Sequence, residues 1–169
     1  MLEFGSNSLR PVRGAIELAL ADVAYTIEVL RTENTSGLEY RPVDANLDDV
    51  CAELIGGALS SIRFRSDGAD VAWALLYGPT FARDRPRPWT GVVELRHSRY
   101  QLLFEQLVGR GDLDFVVVSL EETLDLTPGS MTASSFPWDD WRLIRAALPS
   151  GPGLRREWVI RPGPARVAK

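Results

Sequence analysis

The chain contains one cysteine, one histidine and one lysine among its 169 residues. Cys51 cannot form an internal disulfide, because that bond needs a second thiol. Cys51 and His97 are also too few to build a common zinc framework. Cys51 falls on the apolar stripe of a predicted helix, which indicates a small buried residue rather than a nucleophile. We therefore predict no cofactor and no metal, although a magnesium or calcium site made only of carboxylates stays open.

Long apolar runs and secretory features are also lacking. No run of about 18 or more apolar residues is present, so the sequence predicts no transmembrane helix. The N-terminal stretch carries Glu3 and lacks a basic region followed by a compact apolar segment, which argues against a secretory signal. Together with the single thiol, this favours the cytoplasm. The net charge of −4 argues against general nucleic-acid binding.

The longest β-branched and aromatic stretch, residues 114–120, is apolar on both sides and predicts a central strand. Amphipathic spacing predicts four helices, over residues 14–31, 46–56, 98–109 and 135–148. Alternating patterns predict further strands over residues 38–41, 61–65, 71–77, 91–96 and 158–160. Within the first helix, Tyr25, Ile27 and Val29 also alternate, so a strand there is the alternative. In the strand over residues 71–77, we expect Trp73 and Leu75 to face the core.

These elements predict a single globular domain over residues 1–169, with frayed ends at residues 1–11 and 162–169. The fold class is α+β or α/β. We expect a mixed sheet of about five to six strands packed with about four helices.

The charges are unevenly distributed along the second half of the chain. Residues 111–141 hold seven acidic residues and no basic one, whereas residues 142–169 hold seven basic residues and one acidic residue. Asp112 and Asp125 flank the predicted central strand, and Asp139 and Asp140 open a predicted helix. If these ends share one side of the sheet, they form an acidic face suited to a cationic partner. The alternative is ordinary solvated charge.

A proline-rich loop over residues 79–89 is the second candidate region, and prolines at this density exclude helix and central strand. It contains Arg83, Arg85, Arg87 and Trp89. We expect Trp89 to be exposed, and an exposed tryptophan near arginines is typical of a contact surface. His97 follows the next strand as the only imidazole for acid–base catalysis, and it would need a nucleophile and a carboxylate nearby.

These observations favour a non-enzymatic protein-binding module with one protein partner. The closest functional analogy is a bacterial immunity protein that neutralises a basic toxin through an acidic face, using Asp112, Asp125, Asp139, Asp140 and Trp89. The alternative is a small enzyme or ligand-binding domain that recognises an anionic small molecule near the 79–89 loop. A homo-oligomer without chemistry of its own is a third hypothesis. A deep enclosed pocket around His97 or the loop arginines would favour the enzyme.

Overall fold

The computed structural model describes residues 1–33, 39–66, 71–79, 88–95, 99–119, 143–149 and 154–157. These residues form nine strands and three helices, in the chain order β1 Leu2–Ser6, α1 Leu9–Ala19, β2 Tyr25–Arg31, β3 Arg41–Val43, α2 Leu47–Ile55, β4 Leu59–Ser66, β5 Val71–Tyr77, β6 Trp89–Leu95, α3 Arg99–Arg110, β7 Phe115–Ser119, β8 Leu143–Pro149 and β9 Leu154–Glu157.

All nine described strands belong to one sheet, in the order β3-β2-β4-β5-β6-β1-β7-β8-β9. Every neighbouring pair is antiparallel. The α+β class is therefore confirmed. The predicted mixed sheet of five to six strands with four helices is wrong for the described residues, mainly because β1 and β8 were not predicted as strands and β2 was only the alternative to a helix.

The three described helices cover one face of the sheet. Helix α1 packs on β6, β1 and β5, α2 packs on β4, and α3 packs on β7. Their apolar stripes join one core with the strand residues that point the same way, among them Phe4, Phe64 and Val116. We call this the helix face, and the other side the second face. In the described part of the chain, no helix is long and apolar enough to span a membrane.

Strand β1 lies inside the sheet, between β6 and β7, so the predicted frayed start over residues 1–11 is wrong there. All five of its residues are buried, including Glu3. Phe4 lies opposite Gly91 of β6, where an added Cβ would be 2.3 Å from the Phe4 ring. Gly5 lies opposite Phe115 of β7 and would meet that ring at 2.3 Å. Each aromatic ring therefore occupies the space above a glycine in the neighbouring strand. A five-residue strand with one glycine and one carboxylate is too short to recognise from alternation.

The predicted helix over residues 14–31 is wrong in its second half. Helix α1 begins at Leu9 and ends at Ala19, and a turn with Asp22 at φ 64° leads into β2. Pro11 is tolerated in the first turn of α1, where its missing N–H is not needed. The alternation of Tyr25, Ile27 and Val29 was the correct signal, because β2 pairs with β4 over its whole length.

The middle of the chain folds largely as predicted. Asn46 caps α2 by accepting a hydrogen bond from the backbone N–H of Asp49 at 2.9 Å, and Gly56 ends that helix. Strands β4 and β5 contain the strands predicted over residues 61–65 and 71–77, and they pair with each other in antiparallel orientation. Trp73 and Leu75 are only half-buried, whereas Ala74 between them joins the core. Their predicted core position is wrong. The register shift between Val71 and Trp73 changes which side chains of β5 face the core, so that Val71 and Ala74 do.

Helix α3 and strand β7 confirm the predicted helix–strand pair. The stripe Leu103, Phe104 and Leu107 is buried in the core, and all five residues of β7 are buried. The predicted helix end at Gly109 differs by one residue, because α3 runs to Arg110. Gly111 follows at φ 72°, the left-handed conformation that commonly ends a helix at glycine.

The predicted helix over residues 135–148 is wrong from residue 143 onward, because β8 spans Leu143–Pro149. Residues 135–142 lie outside the described residues. The segment has helical as well as strand spacing, and pairing with the edge of β7 outweighs that local preference. Strand β9 precedes the predicted strand over residues 158–160, which also lies outside the described residues.

The close contact at Gly91 gives a test of the sheet interior. Gly91→Ala places a methyl carbon 2.3 Å from the Phe4 ring, which is too close for van der Waals contact. The change should lower the free energy of unfolding by about 1–3 kcal/mol. The matched control is Gly109→Ala in α3, where an added Cβ meets nothing within 4 Å. That change should leave stability unchanged or raise it by up to about 1 kcal/mol. Urea unfolding of both variants measures the difference, and equal midpoints would contradict the packing of Phe4 on Gly91.

Candidate functional site

The helical layer contains a groove of about 910 Å³ between α1 and α2. Arg110 and Asp112, where α3 connects to β7, also line this groove. Ile55, the last residue of α2, lies on its lining and is 65% exposed. We call this site the α1–α2 groove. Its lining mixes charged and apolar side chains, so it is a surface for polar recognition rather than an apolar ligand cavity.

Arg13 joins the two helices across the groove. Its Nε donates to Glu17 Oε1 at 2.8 Å, one turn later on α1, and its Nη1 donates to Asp48 Oδ1 at 2.5 Å on α2. The hydrogen bond to Glu17, followed by that to Asp48, raises the pKa of Arg13. Partly exposed ion pairs contribute only about 0.2–1 kcal/mol each. Their main consequence here is that the guanidinium is held in one position.

Arg110 is held in place on the other side of the groove. Its Nε and Nη2 each lie 3.2 Å from one carboxylate oxygen of Asp112, which is the two-point geometry that guanidinium and carboxylate groups favour. The guanidinium lies against α1 at Gly14, where an added Cβ would be 2.7 Å from Nη2. A glycine in the middle of α1 therefore provides the space for the Arg110 side chain.

Arg10 is exposed in the first turn of α1 and lines the same groove. No described carboxylate pairs with it. Residues three and four apart on a helix are neighbours on its surface. Arg10 is therefore adjacent to Arg13 and to Gly14, on which Arg110 lies. Arg10, Arg13 and Arg110 therefore all line the groove, and Arg10 is the member without a carboxylate partner among the described residues.

Backbone and side-chain bonds tie the start of α1 to the connection between α3 and β7. The N–H of Asp114 donates to the carbonyl of Gly5 at 2.8 Å, and the N–H of Asn7 donates to Asp114 Oδ2 at 2.7 Å. The Ser6 hydroxyl donates to the carbonyl of Asp112 at 3.4 Å. These bonds hold the start of α1 beside the end of α3, so Arg10 and Arg110 line the same groove although they are distant in sequence.

Cys51 lies on the lining of the groove but its side chain is almost fully buried. Burial raises the pKa of the thiol from its ordinary value of 9.0, Arg13 lowers it to a smaller extent, and Asp48 adds to the increase. The neutral thiol is therefore favoured at neutral pH. The thiolate is the nucleophilic form, so this environment does not activate Cys51.

A second polar cluster lies on the second face of the sheet. The Arg63 guanidinium contacts Glu28 at 2.5 Å and lies 4.1 Å from the centre of the Tyr40 ring. The Tyr40 hydroxyl is 2.7 Å from the Ser61 hydroxyl. Burial raises the pKa of Tyr40, and the bond to Ser61 opposes that shift. Each group in this cluster has a partner, which indicates a structural role on the sheet surface.

Two of the five predicted partner-binding residues are described. Asp112 lies on the groove lining, where its carboxylate pairs with Arg110 and is thus part of a mixed-charge surface. Trp89 is half-buried and packs against the core and Gly78, in place of the expected exposed position. Trp89 lies opposite Ser6 in the sheet but does not line the groove. The other predicted residues lie outside the described residues: Asp125, Asp139, Asp140, His97, Arg83, Arg85 and Arg87.

The sequence interpretation missed the arginines of the groove. Arg10 fell within the predicted frayed start over residues 1–11. Arg13 fell directly before the predicted helix over residues 14–31. Had α1 been placed at Leu9–Ala19, their spacing of three would have put them on one helical surface. No sequence pattern indicated that Arg110 lies against Gly14 of α1, because this contact depends on the register of β1 with β7.

Of the residues that the structure describes, those of the groove supply guanidinium and carboxylate groups suited to polar binding. Among all the described residues, no three His, Cys, Asp or Glu side chains are grouped so as to hold a metal ion. The only described thiol, Cys51, is held in its neutral form. Guanidinium groups cannot serve as bases at neutral pH, but they bind carboxylates and phosphates through directed hydrogen bonds.

The buried thiol gives a test of this assignment. Because folding raises the pKa of Cys51, the neutral thiol stabilises the fold below pH 9.0, and this contribution is lost as the pH rises above that value. Because the native thiol is both buried and held neutral, a thiol-reactive dye should label native Cys51 much more slowly than the urea-unfolded chain at pH 7.5. Equal rates for the native and unfolded chains would show an accessible thiolate and contradict the buried position.

Comparison with known proteins adds no assignment to this geometry. No family model matches the chain, and neither the curated proteins nor the solved structures include a significant match.

Proposed function

We propose that the chain is a non-enzymatic protein-binding module that binds one protein partner through the α1–α2 groove. The main observation is that five of the six charged side chains of the groove are held by ion pairs within the free chain, around Arg13 and Arg110. A surface that is already ordered loses less conformational freedom on binding. The exposed Ile55 adds an apolar contact at the groove.

The immunity-type role remains part of this proposal. A module of this kind neutralises a toxin by covering part of its surface, so it needs a contact surface and no reactive group. The groove meets that requirement, and Cys51 is not activated. The acidic face and its basic partner remain predictions that concern Asp125, Asp139 and Asp140. The groove does not supply such a face, because Asp112 is paired with Arg110 there.

An anionic small molecule is the second candidate, and one observation favours it. Arg10 is exposed and has no carboxylate partner among the described residues, which suits a free anion as well as a protein side chain. This candidate moves the site from the predicted 79–89 loop to the groove, since Arg83, Arg85 and Arg87 lie outside the described residues.

A photo-crosslinking experiment tests the protein-binding role. A benzophenone amino acid replaces Ile55 in the groove, and a second variant carries it at Leu102 of α3. These two residues are matched because they are 65% and 61% exposed and both lie on helices. We expect one dominant crosslinked protein from position 55 in cells of the source organism, and much less of it from position 102.

The crosslinked protein is then purified and its affinity for the chain measured directly. Replacing Ile55 by Asp should weaken binding by about tenfold or more, since burying a new charge in a contact is unfavourable. Leu102→Asp should change the affinity little. For an immunity-type module, producing the partner alone should arrest growth and co-production of the chain should restore it. Equal crosslinking from both positions, or no saturable complex, would contradict the proposal.

A further inference from the structure

The arginines of the α1–α2 groove differ in how their charges are balanced. Arg13 contacts two carboxylates, Glu17 and Asp48, and Arg110 makes two contacts with Asp112. Arg10 has no carboxylate partner among the described residues. All three belong to one short stretch of the groove, because Arg10 is three residues from Arg13 and four from Gly14, where Arg110 lies. The lining as a whole balances three guanidinium groups with three carboxylates, and a carboxylate from a partner is the group that would pair with Arg10.

We propose that Arg10, together with the neighbouring Arg110, binds a carboxylate in an acidic segment of the protein partner, while an apolar residue of that segment contacts Ile55. This inference rests on the protein-binding role proposed above and names the chemistry of the partner at the same site. Arg110 takes part because its position is fixed before binding by Asp112 and Gly14. The added carboxylate would receive hydrogen bonds from guanidinium groups, which are stronger than those between neutral groups.

The size and lining of the groove favour a protein segment over a small ion. A volume of about 910 Å³ is far larger than a single carboxylate needs. Small-molecule pockets are mostly apolar with a few polar groups, whereas six charged side chains line this groove: Arg10, Arg13, Glu17, Asp48, Arg110 and Asp112. Mixed charge around an exposed aliphatic side chain resembles the polar rim of a protein interface.

A peptide titration tests this inference. The probe is acetyl-Gly-Glu-Glu-Leu-Leu-Gly-amide, and its control has Gln in place of both Glu residues. Titration is followed in the ¹H–¹⁵N spectrum of the full chain. We expect saturable shifts at Arg10, Gly14 and Ile55 with the acidic peptide and much weaker binding of the control peptide. Raising the salt concentration should weaken the acidic peptide's binding, because salt screens exposed charges.

Variants identify the arginine responsible. Arg10→Gln should weaken binding of the acidic peptide by roughly three- to tenfold, since it removes one charge-assisted contact. Arg41→Gln is the matched control, because Arg41 is exposed on the edge strand β3. Gly14→Ala is a second variant, which improves the helix but displaces Arg110, and it should also weaken binding. Unchanged binding by Arg10→Gln, or equal binding of both peptides, would overturn the inference.

Inorganic phosphate separates a protein segment from a simple anion site. If phosphate binds the same residues as tightly as the acidic peptide does, the commitment to a protein segment is overturned. The two proposals also fail separately. If a crosslinked partner binds the Arg10→Gln variant with unchanged affinity, this inference alone is contradicted. If the peptide binds but no partner is crosslinked, the wider protein-binding role is contradicted.

Discussion

The packing of two aromatic rings on two glycines around β1 is the constraint on which the sheet depends. Phe4 covers Gly91 of β6 on the helix face, and Phe115 of β7 covers Gly5 on the second face. Strand β1 separates β3-β2-β4-β5-β6 from β7-β8-β9 in the sheet. Without it, β6 and β7 would each present an unpaired edge in the interior. The packing of Phe4 on Gly91 and of Phe115 on Gly5 therefore sets how the two halves of the sheet are joined.

The same strand determines where the groove forms. Helix α1 follows β1 after only Asn7 and Ser8, so the position of β1 sets the start of α1. The Asp114 N–H donates to the Gly5 carbonyl, and the Asn7 N–H donates to the Asp114 carboxylate. These two hydrogen bonds hold the end of α3 beside the start of α1. Consequently Arg110 reaches Gly14, and the arginine cluster arises from packing between segments about 100 residues apart. In this account, the binding surface is a consequence of the strand order.

The sequence predicted elements whose local signals were strong and consistent. Helix α2 has a capping Asn46 with a clear apolar stripe, and β7 is an unbroken β-branched run; both were placed correctly. The failures occurred where pairing with distant strands decides the structure. Strand β1 is short and contains Glu3, and β8 has helical spacing, so neither is recognisable before its neighbours are known. For the site, Asp112 was predicted as a partner-binding residue and lies on the groove lining, but the positions of Arg110 and Gly14 depend on that same long-range pairing.

The acidic stretch shows how a sequence pattern changes meaning in three dimensions. Asp112 was a candidate for an acidic face, and Asp114 belongs to the same acidic stretch of the sequence. In the structure, Asp112 orients Arg110, and Asp114 accepts a hydrogen bond from Asn7. Both carboxylates therefore help to hold the groove together, and Arg10 is the guanidinium of the groove that no described carboxylate contacts.

Native-state hydrogen exchange at β1 tests the central claim most directly. If β1 is an interior strand that joins the two halves, the amides of Glu3 and Phe4 should exchange only when the whole sheet unfolds. Their free energy of opening should then equal that of Val117 in β7. Exchange of the β1 amides at the rate of a frayed chain end, while β7 remains protected, would contradict the account.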